Sequence, residues 1–253
     1  MPLGKRFMLF GETTMIQAAI FDFDGTLVDS EDNYYLADKT LIENIDSIRQ
    51  ICDSGYAAIA NLPDKKIFSK SDKAEFIGLD GKEVIRRIKD KYHLNGTIEQ
   101  LLEQKNSLYL QIALQNTKVY PKMLHLVQLF QNHNIPMAVA SGTYNDNLHK
   151  LLEVTNLKQY FKVVLGGDDV PLGKPDPAIF LTAAARLGIE PHNCVVIEDS
   201  LHGVEAAIAA GMYIIAVPYL VKSHYEDEFY KCDYLSEGGM DGFEPEEAFR
   251  KIL

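Results

Sequence analysis

The stretch Ala18-Ala19-Ile20-Phe21-Asp22-Phe23-Asp24-Gly25-Thr26 decides how the rest of the chain is read. Its first four residues are apolar without alternation, the pattern of a strand buried on both faces, and the run stops at two acids separated by one residue. In extended backbone, side chains two apart point the same way, so Asp22 and Asp24 face one spot at a strand end. Their repulsion there is relieved by a divalent cation, and Mg²⁺ takes carboxylate oxygens together with phosphate and water. A carboxylate can also attack phosphorus, splitting one hydrolysis into two displacements, while a second carboxyl protonates the leaving oxygen and then activates water. Asp22 suits the first task and Asp24 the second. An isolated Asp-x-Asp-Gly suits a surface turn equally well, so the pair alone leaves both readings open.

Similar apolar runs recur at 137–140, 163–165, 194–197 and 213–217. Between them lie helical spacings: Leu124, Val127 and Phe130; Leu148, Leu151 and Leu152; Phe180, Leu181, Ala184 and Leu187; then an alanine-rich stretch over 204–210. This alternation predicts an α/β fold with a Rossmann-like, doubly wound parallel sheet. Tyr234 and Leu235 begin an edge strand, and 245–252 is a closing helix with proline in its first turn. From 31 to 116 the alternation stops. Leu41, Ile45 and Ile48, then Val84, Ile88 and Tyr92, then Leu101, Leu108 and Ile112 share helical faces, and Thr97 with Gln100 forms a capping-box start. The expected organisation is an α-helical cap domain over 31–116, inserted into a discontinuous core of 15–30 and 117–253, with hinges near Ser30 and Thr117.

Ligands of open parallel sheets bind beyond the carboxyl ends of the strands, and three more candidate sites follow later runs. Ser141-Gly142-Thr143 offers a hydroxyl and free N–H groups for a phosphoryl oxygen, or a plain helix cap. Lys174, in Gly173-Lys174-Pro175-Asp176-Pro177, is either a solvated loop lysine or an ammonium held to neutralise charge between nucleophile and phosphoryl group. Glu198-Asp199-Ser200 either completes a metal site or caps a helix.

The totals fit this reading. At 253 residues, 47% hydrophobic and 24% charged, the chain can fill one core or a core with a smaller insert. A net charge of -11 argues against nucleic acid and anionic membranes as partners. A small phosphate ester remains compatible, because a metal ion and one lysine supply local positive charge. Cys52, Cys194 and Cys232 lack metal or disulfide spacing and fit a reducing, cytoplasmic setting. The histidines show no zinc-binding spacing. Met1 to Thr14 are too short in apolar content for a signal core or span, and Met15 is an alternative start. A monomer or weak homodimer is expected.

With all these strand-end residues in order, Asp22 and Asp24, Ser141, Lys174, then Glu198 and Asp199, and a helical stretch in the first gap, the chain from about Gln17 to Pro218 resembles the haloacid dehalogenase superfamily. Within it, the subgroup of phosphatases and β-phosphoglucomutase-like enzymes is the most similar. The resemblance implies that Asp22 is nucleophile and Mg²⁺ ligand, and that Asp24 is acid/base and binds the metal through its carbonyl. It implies that Ser141 holds the phosphoryl group, Lys174 bridges it to Asp22, and Glu198 and Asp199 complete the Mg²⁺ site. Gly25, Thr26, Gly142 and Thr143 are the associated substrate-binding candidates. Retention of Asp24 speaks against dehalogenation. Tyr34 where mutases carry a histidine, Thr143-Tyr144-Asn145 where they carry a lysine, and Thr26 after Gly25 favour hydrolysis over the alternative phosphosugar mutase. A non-catalytic phosphate binder has no need of Asp24. Lys82 resembles a specificity-loop residue but equally starts a helix. Tyr34, Tyr35, Tyr56 and Tyr92 either line a pocket or pack. Asp29 and Ser30 are expected to cap the first inserted helix, and Asp168 and Asp169 to end a strand.

Overall fold

The computed structural model describes residues 16–43, 68–76 and 81–253. The alternative start at Met15, Ile45, Ile48, Cys52, Tyr56 and the segment 78–80 before Lys82 lie outside the described residues.

The chain opens with strand β1 (Ala18–Phe21), short strand β2 (Val28–Asp29) and helix α1 (Glu31–Glu43). Helices α2 (Lys70–Ala74), α3 (Gly81–Tyr92) and α4 (Ile98–Asn116) follow, the last starting at the expected capping box. Thr97 Oγ1 accepts from Gln100 N, and Gln100 Oε1 from Thr97 N. Then come β3 (Lys118–Val119), α5 (Pro121–Asn132), β4 (Met137–Ala140), α6 (Asn145–Val154), β5 (Val163–Leu165) and α7 (Ala178–Leu187). The order closes with β6 (Cys194–Glu198), α8 (Leu201–Ala210), β7 (Tyr213–Ala216), β8 (Tyr234–Leu235), α9 (Gly239–Gly242) and α10 (Pro245–Ile252).

Six strands form a parallel sheet in the order β5-β4-β1-β6-β7-β8. The fold is the expected Rossmann-like α/β architecture. Alternation within the strands explains why they read as unbroken apolar runs. Ala19 and Phe21 join Met137, Val139, Val195 and Ile197 in one core, while Ala18 and Ile20 join Ala138, Ala140 and Val196 in the other. Both faces are covered, so neither phase of the alternation can be polar. Phe21 meets Phe130 of α5 edge to face at 5.8 Å, and Phe130 meets Phe249 of α10 at 5.0 Å.

Register places the site. Phe21 pairs with Val139 of β4 and Ile197 of β6, so the residues leaving these three strands emerge side by side at one edge. The helices α1 to α4 lie in sequence between β2 and β3, an antiparallel pair matching Val28 with Val119 and Asp29 with Lys118. This corrects the capping expectation: Asp29 belongs to a strand, and the buried Ser30 hydroxyl makes no hydrogen bond among the described residues. Asp168 and Asp169 knit the loop after β5 to the start of α6. Asp168 accepts from Asn145 N at 2.7 Å, and Asp169 accepts from Gly166 N at 2.8 Å and from the Asn145 amide. Among the described residues no helix is long and apolar enough to cross a membrane.

Candidate active site

Asp22 follows β1 directly and is 5% exposed. Its main-chain N–H donates to Ile197 O at 3.0 Å, which continues the sheet spacing and fixes where the carboxylate points. Lys174 Nζ donates to Asp22 Oδ1 at 2.6 Å and to Glu198 Oε1 at 2.6 Å, making one ammonium the bridge between two buried acids. Burial pushes the Asp22 carboxyl up to about 8, with Glu198 and Asp24 adding to the rise and Lys174 opposing it. Burial alone would discharge Lys174, but the carboxylates of Asp22 and Glu198 outweigh it and hold the ammonium charged.

Glu198 ends β6 with no exposed surface. Its second oxygen accepts from Asp199 N at 2.9 Å, Ser200 N at 2.9 Å and Ser200 Oγ at 3.0 Å. The carboxylate expected to ligate a metal is thus engaged by protein donors, and it anchors Lys174 and the start of α8. A side chain at Gly203 would put its Cβ 1.8 Å from Glu198 Oε1, so the first turn of α8 admits the acid only because Gly203 has none. Asp199 sits beside it, its carboxyl raised well above the ordinary range by burial and by Glu198 and Asp22, with the Thr26 hydroxyl donating at 2.8 Å in partial compensation. Gly25, at φ 83°, passes so close that a Cβ would lie 2.5 Å from Asp199 Oδ2. Thr26 is fully buried, so its side chain supports Asp199 from behind and does not face the cavity.

Two buried carboxyls disfavoured in their ionised form, Asp22 and Asp199, suit a hard cation taken up through oxygen. The Asp24 carbonyl is a further oxygen donor within the same turn. The Asp24 side chain is occupied otherwise: Tyr109 Oη donates to Oδ1 at 2.6 Å and Thr143 Oγ1 to Oδ2 at 2.6 Å, with Ser141 Oγ at 3.4 Å. Thr143 N donates to Ser141 Oγ at 3.0 Å, folding the loop after β4 around that hydroxyl.

Tyr109 comes from α4 and lies stacked on Tyr34 of α1, with centroids 4.0 Å apart. Tyr34 Oη lies 3.5 Å from Thr143 Oγ1. Burial, then the Asp24 charge, keeps both phenols neutral and able to donate. Behind them Asp38, fully buried, pairs with Lys73 and Lys105 at 2.9 Å each, and the two ammonium groups stand 5.6 and 5.7 Å from the Tyr34 ring centroid.

One cavity of about 490 Å³ brings together Asp22, Asp24, Ser141, Gly142, Thr143, Lys174, Glu198 and Asp199. Gly25 and Thr26 lie outside its wall, and Lys82 is exposed at the start of α3. Tyr34 lines it, whereas Tyr35 and Tyr92 pack around Phe68.

A family model for haloacid dehalogenase-like hydrolases matches residues 16–211, covering the site from Asp22 to Asp199. The chain belongs to this family. Among curated members, it is 35% identical over 149 residues to a bifunctional riboflavin kinase/FMN phosphatase of Arabidopsis thaliana, a match spanning 58% of this chain but 39% of that protein. It is 29% identical over 197 residues to a phosphorylated carbohydrates phosphatase of Thermotoga maritima, covering 78% of this chain and 82% of that one. Identity is 28% over 209 residues with the beta-phosphoglucomutase of Bacillus subtilis, covering 80% and 83%.

Tyr109, Asp38, Lys73 and Lys105 escaped the sequence reading. Lys105, Tyr109 and Ile112 lie at four- and three-residue spacings on α4, a signal that was available, but two of the three are polar and the stripe reads as partly solvated.

Proposed function

We propose that the chain is a Mg²⁺-dependent phosphatase of small phosphorylated metabolites, of the sugar phosphate or phosphoglycolate type, acting through an aspartyl-phosphate on Asp22. The observation that carries this reading is Lys174 at 2.6 Å from Asp22, in a cavity that also holds Asp24, Ser141 and Thr143. Lys174 aligns the Asp22 carboxylate and meets charge on the incoming phosphoryl group. Ser141 and the Gly142 N–H orient the phosphoryl oxygens, with the Thr143 N–H holding the Ser141 hydroxyl in place. Asp24 gives a proton to the departing alcohol, then removes one from the water that releases phosphate. Asp22, Asp199 and the Asp24 carbonyl would hold the cation, whose charge offsets that of the phosphate when bound. The helices α1 to α4 act as the cap, reaching the acid/base through Tyr109.

The test is phosphate release from a panel of phosphate esters with Mg²⁺, together with an acid quench and mass spectrometry of the peptide containing Asp22. Wild type should release phosphate and carry one phosphoryl group on that peptide. Asp22→Asn should lose at least about a thousandfold in turnover while still folding. Unchanged turnover in that variant would remove Asp22 from the mechanism, and conversion of a hexose 1-phosphate to its 6-phosphate without phosphate release would make the chain a mutase.

A further inference from the structure

Lys174 carries its charge where little water reaches it: the side chain is 12% exposed, and burial works against the ammonium form. An ammonium group has three N–H donors, and two of these go to Asp22 Oδ1 and Glu198 Oε1 at 2.6 Å each. The third is left for the phosphoryl group. A further contact belongs to neither acid. Lys174 Nζ stands over the face of the Phe180 ring, 4.8 Å from its centroid, nearer than the 5.6 and 5.7 Å at which Lys73 and Lys105 approach Tyr34. Phe180 has no exposed surface and belongs to the core that holds Ala18, Ile20 and Ala140. Ring and ammonium are parts of one local unit, with Lys174 in the loop before α7 and Phe180 in the first turn of that helix. Between them Asp176 N donates to Gly173 O at 3.1 Å, Ala178 N donates to Asp176 Oδ1 at 2.9 Å, and Leu181 N donates to Pro177 O at 3.0 Å. This turn sets how the lysine lies on the ring.

The partners of Lys174 differ in what the reaction does to them. On the phosphatase reading, an Asp22 oxygen bonds to phosphorus as the ester oxygen departs with a proton from Asp24. Water then bonds to phosphorus, giving a proton to Asp24, and the Asp22 oxygen departs as carboxylate. Between the two displacements Asp22 is an acyl phosphate and its own carboxylate charge is gone. Glu198 and the Phe180 ring stay as they are throughout. A ring face attracts the charge of the ammonium group as a whole and needs no N–H aimed at it. It therefore steadies the ammonium without taking the donor meant for a phosphoryl oxygen, which a third carboxylate would take. Resting on the phosphatase reading, we propose that Phe180 is a positioning residue for phosphoryl transfer, its π face fixing the Lys174 ammonium between Asp22 and the phosphoryl group. Phe180 lies outside the cavity wall and acts through Lys174.

The experiment replaces Phe180 in the full chain by 4-fluoro-, 3,5-difluoro- and 3,4,5-trifluorophenylalanine, introduced by nonsense suppression. Each fluorine draws electron density from the ring face while the shape of the side chain stays nearly the same. Phosphate release from p-nitrophenyl phosphate with Mg²⁺ is followed beside the urea midpoint of each protein. The logarithm of kcat should fall in proportion to the fluorine count, by about tenfold in all, as expected for weakening a desolvated cation–π contact. The urea midpoint should stay at its wild-type value. A kcat indifferent to fluorine would overturn the assignment while leaving the phosphatase reading standing. A loss that follows the urea midpoint, or that takes no order from the fluorine count, would overturn it too and make Phe180 a packing residue. No phosphate release by the protein with ordinary phenylalanine, from this or any other ester, would overturn the phosphatase reading and the positioning role with it.

Discussion

The sheet edge and the helices α1, α2 and α4 both bury charged side chains, but they do so in opposite ways. At the sheet edge two acids, Asp22 and Glu198, share one lysine. Among the helices two lysines, Lys73 and Lys105, share one acid, Asp38. The first arrangement leaves an excess of negative charge beside the cavity, as cation uptake requires. The second places two ammonium groups behind the Tyr34 and Tyr109 rings, close enough to act on the Glu31 carboxyl of the cavity wall. Surplus charge thus faces the cavity at the sheet edge and lies behind aromatic rings among the helices.

The comparison breaks most visibly at Asp38. Removing it by Asp38→Ala deprives two buried ammonium groups of the carboxylate they contact, which should destabilise the protein by about 3–5 kcal/mol in urea denaturation. Replacing Lys73 and Lys105 by methionine in the same background should recover much of that loss, since an apolar cluster of similar volume needs no partner. A cost under about 1 kcal/mol for Asp38→Ala would mean that the cluster is hydrated and the contrast with the sheet edge is unfounded.

Next in size is Gly203→Ala. The new methyl carbon would stand 1.8 Å from Glu198 Oε1, and since Glu198 anchors Lys174, its displacement should reach Asp22. Overpacking of this kind costs about 1–3 kcal/mol, and kcat should fall together with the denaturation midpoint. A variant with wild-type kcat would show that Lys174 keeps its place without Glu198.

These two sites differ in how far the sequence disclosed them. The strands β1, β4 and β5 and the helix α10 were legible to the residue, because a sheet covered on both faces forces unbroken apolar runs and proline fixes a helix start. The strand-end residues Asp22, Ser141, Lys174 and Asp199 were legible as a set, since parallel register carries them to one edge. For Glu198 the sequence shows a carboxylate but not the four protein donors that engage it. Nor does the sequence show that the Thr26 hydroxyl turns inward toward Asp199. The β2–β3 pair was missed because two-residue strands have no period. Tyr109 and the Asp38 cluster were missed because each is assembled from helices whose packing no local pattern encodes: Asp38 stands on α1, Lys73 on α2, and Lys105 and Tyr109 on α4.

Tyr109 is where the two regions touch, and its loss tests whether the insert does chemical work or only covers the site. Tyr109→Phe keeps the ring stacked on Tyr34 and deletes the hydrogen bond to Asp24 Oδ1. If that bond orients Asp24 for proton transfer, turnover of an alkyl phosphate should fall by about tenfold, the scale of one good hydrogen bond. Turnover of p-nitrophenyl phosphate should fall less, because nitrophenolate departs without being protonated. Equal losses on both esters would assign Tyr109 to cap docking instead.

The smallest effect, and the one that separates the acid-rich edge from the lysine-rich insert thermodynamically, is the coupling of stability to pH and metal. In the metal-free protein, burial raises Asp22 from 3.8 to about 8 and raises Asp199 as well. Between those values the native state holds protons that the unfolded chain has released, so the contribution of these acids is present at low pH and is lost as pH rises through the window. A bound cation takes over the role of the proton. The gain in Tm on adding Mg²⁺ should therefore be near zero at a pH of about 5 and reach about 2–4 °C at a pH of about 8. Asp22→Asn, which has no proton to exchange, should flatten that dependence relative to wild type, whereas substitutions at Asp38 should leave it in place. A Mg²⁺ gain that is the same at both pH values would mean that the cation does not compete with protons at Asp22 and Asp199, and that the excess negative charge at the sheet edge serves some purpose other than metal uptake.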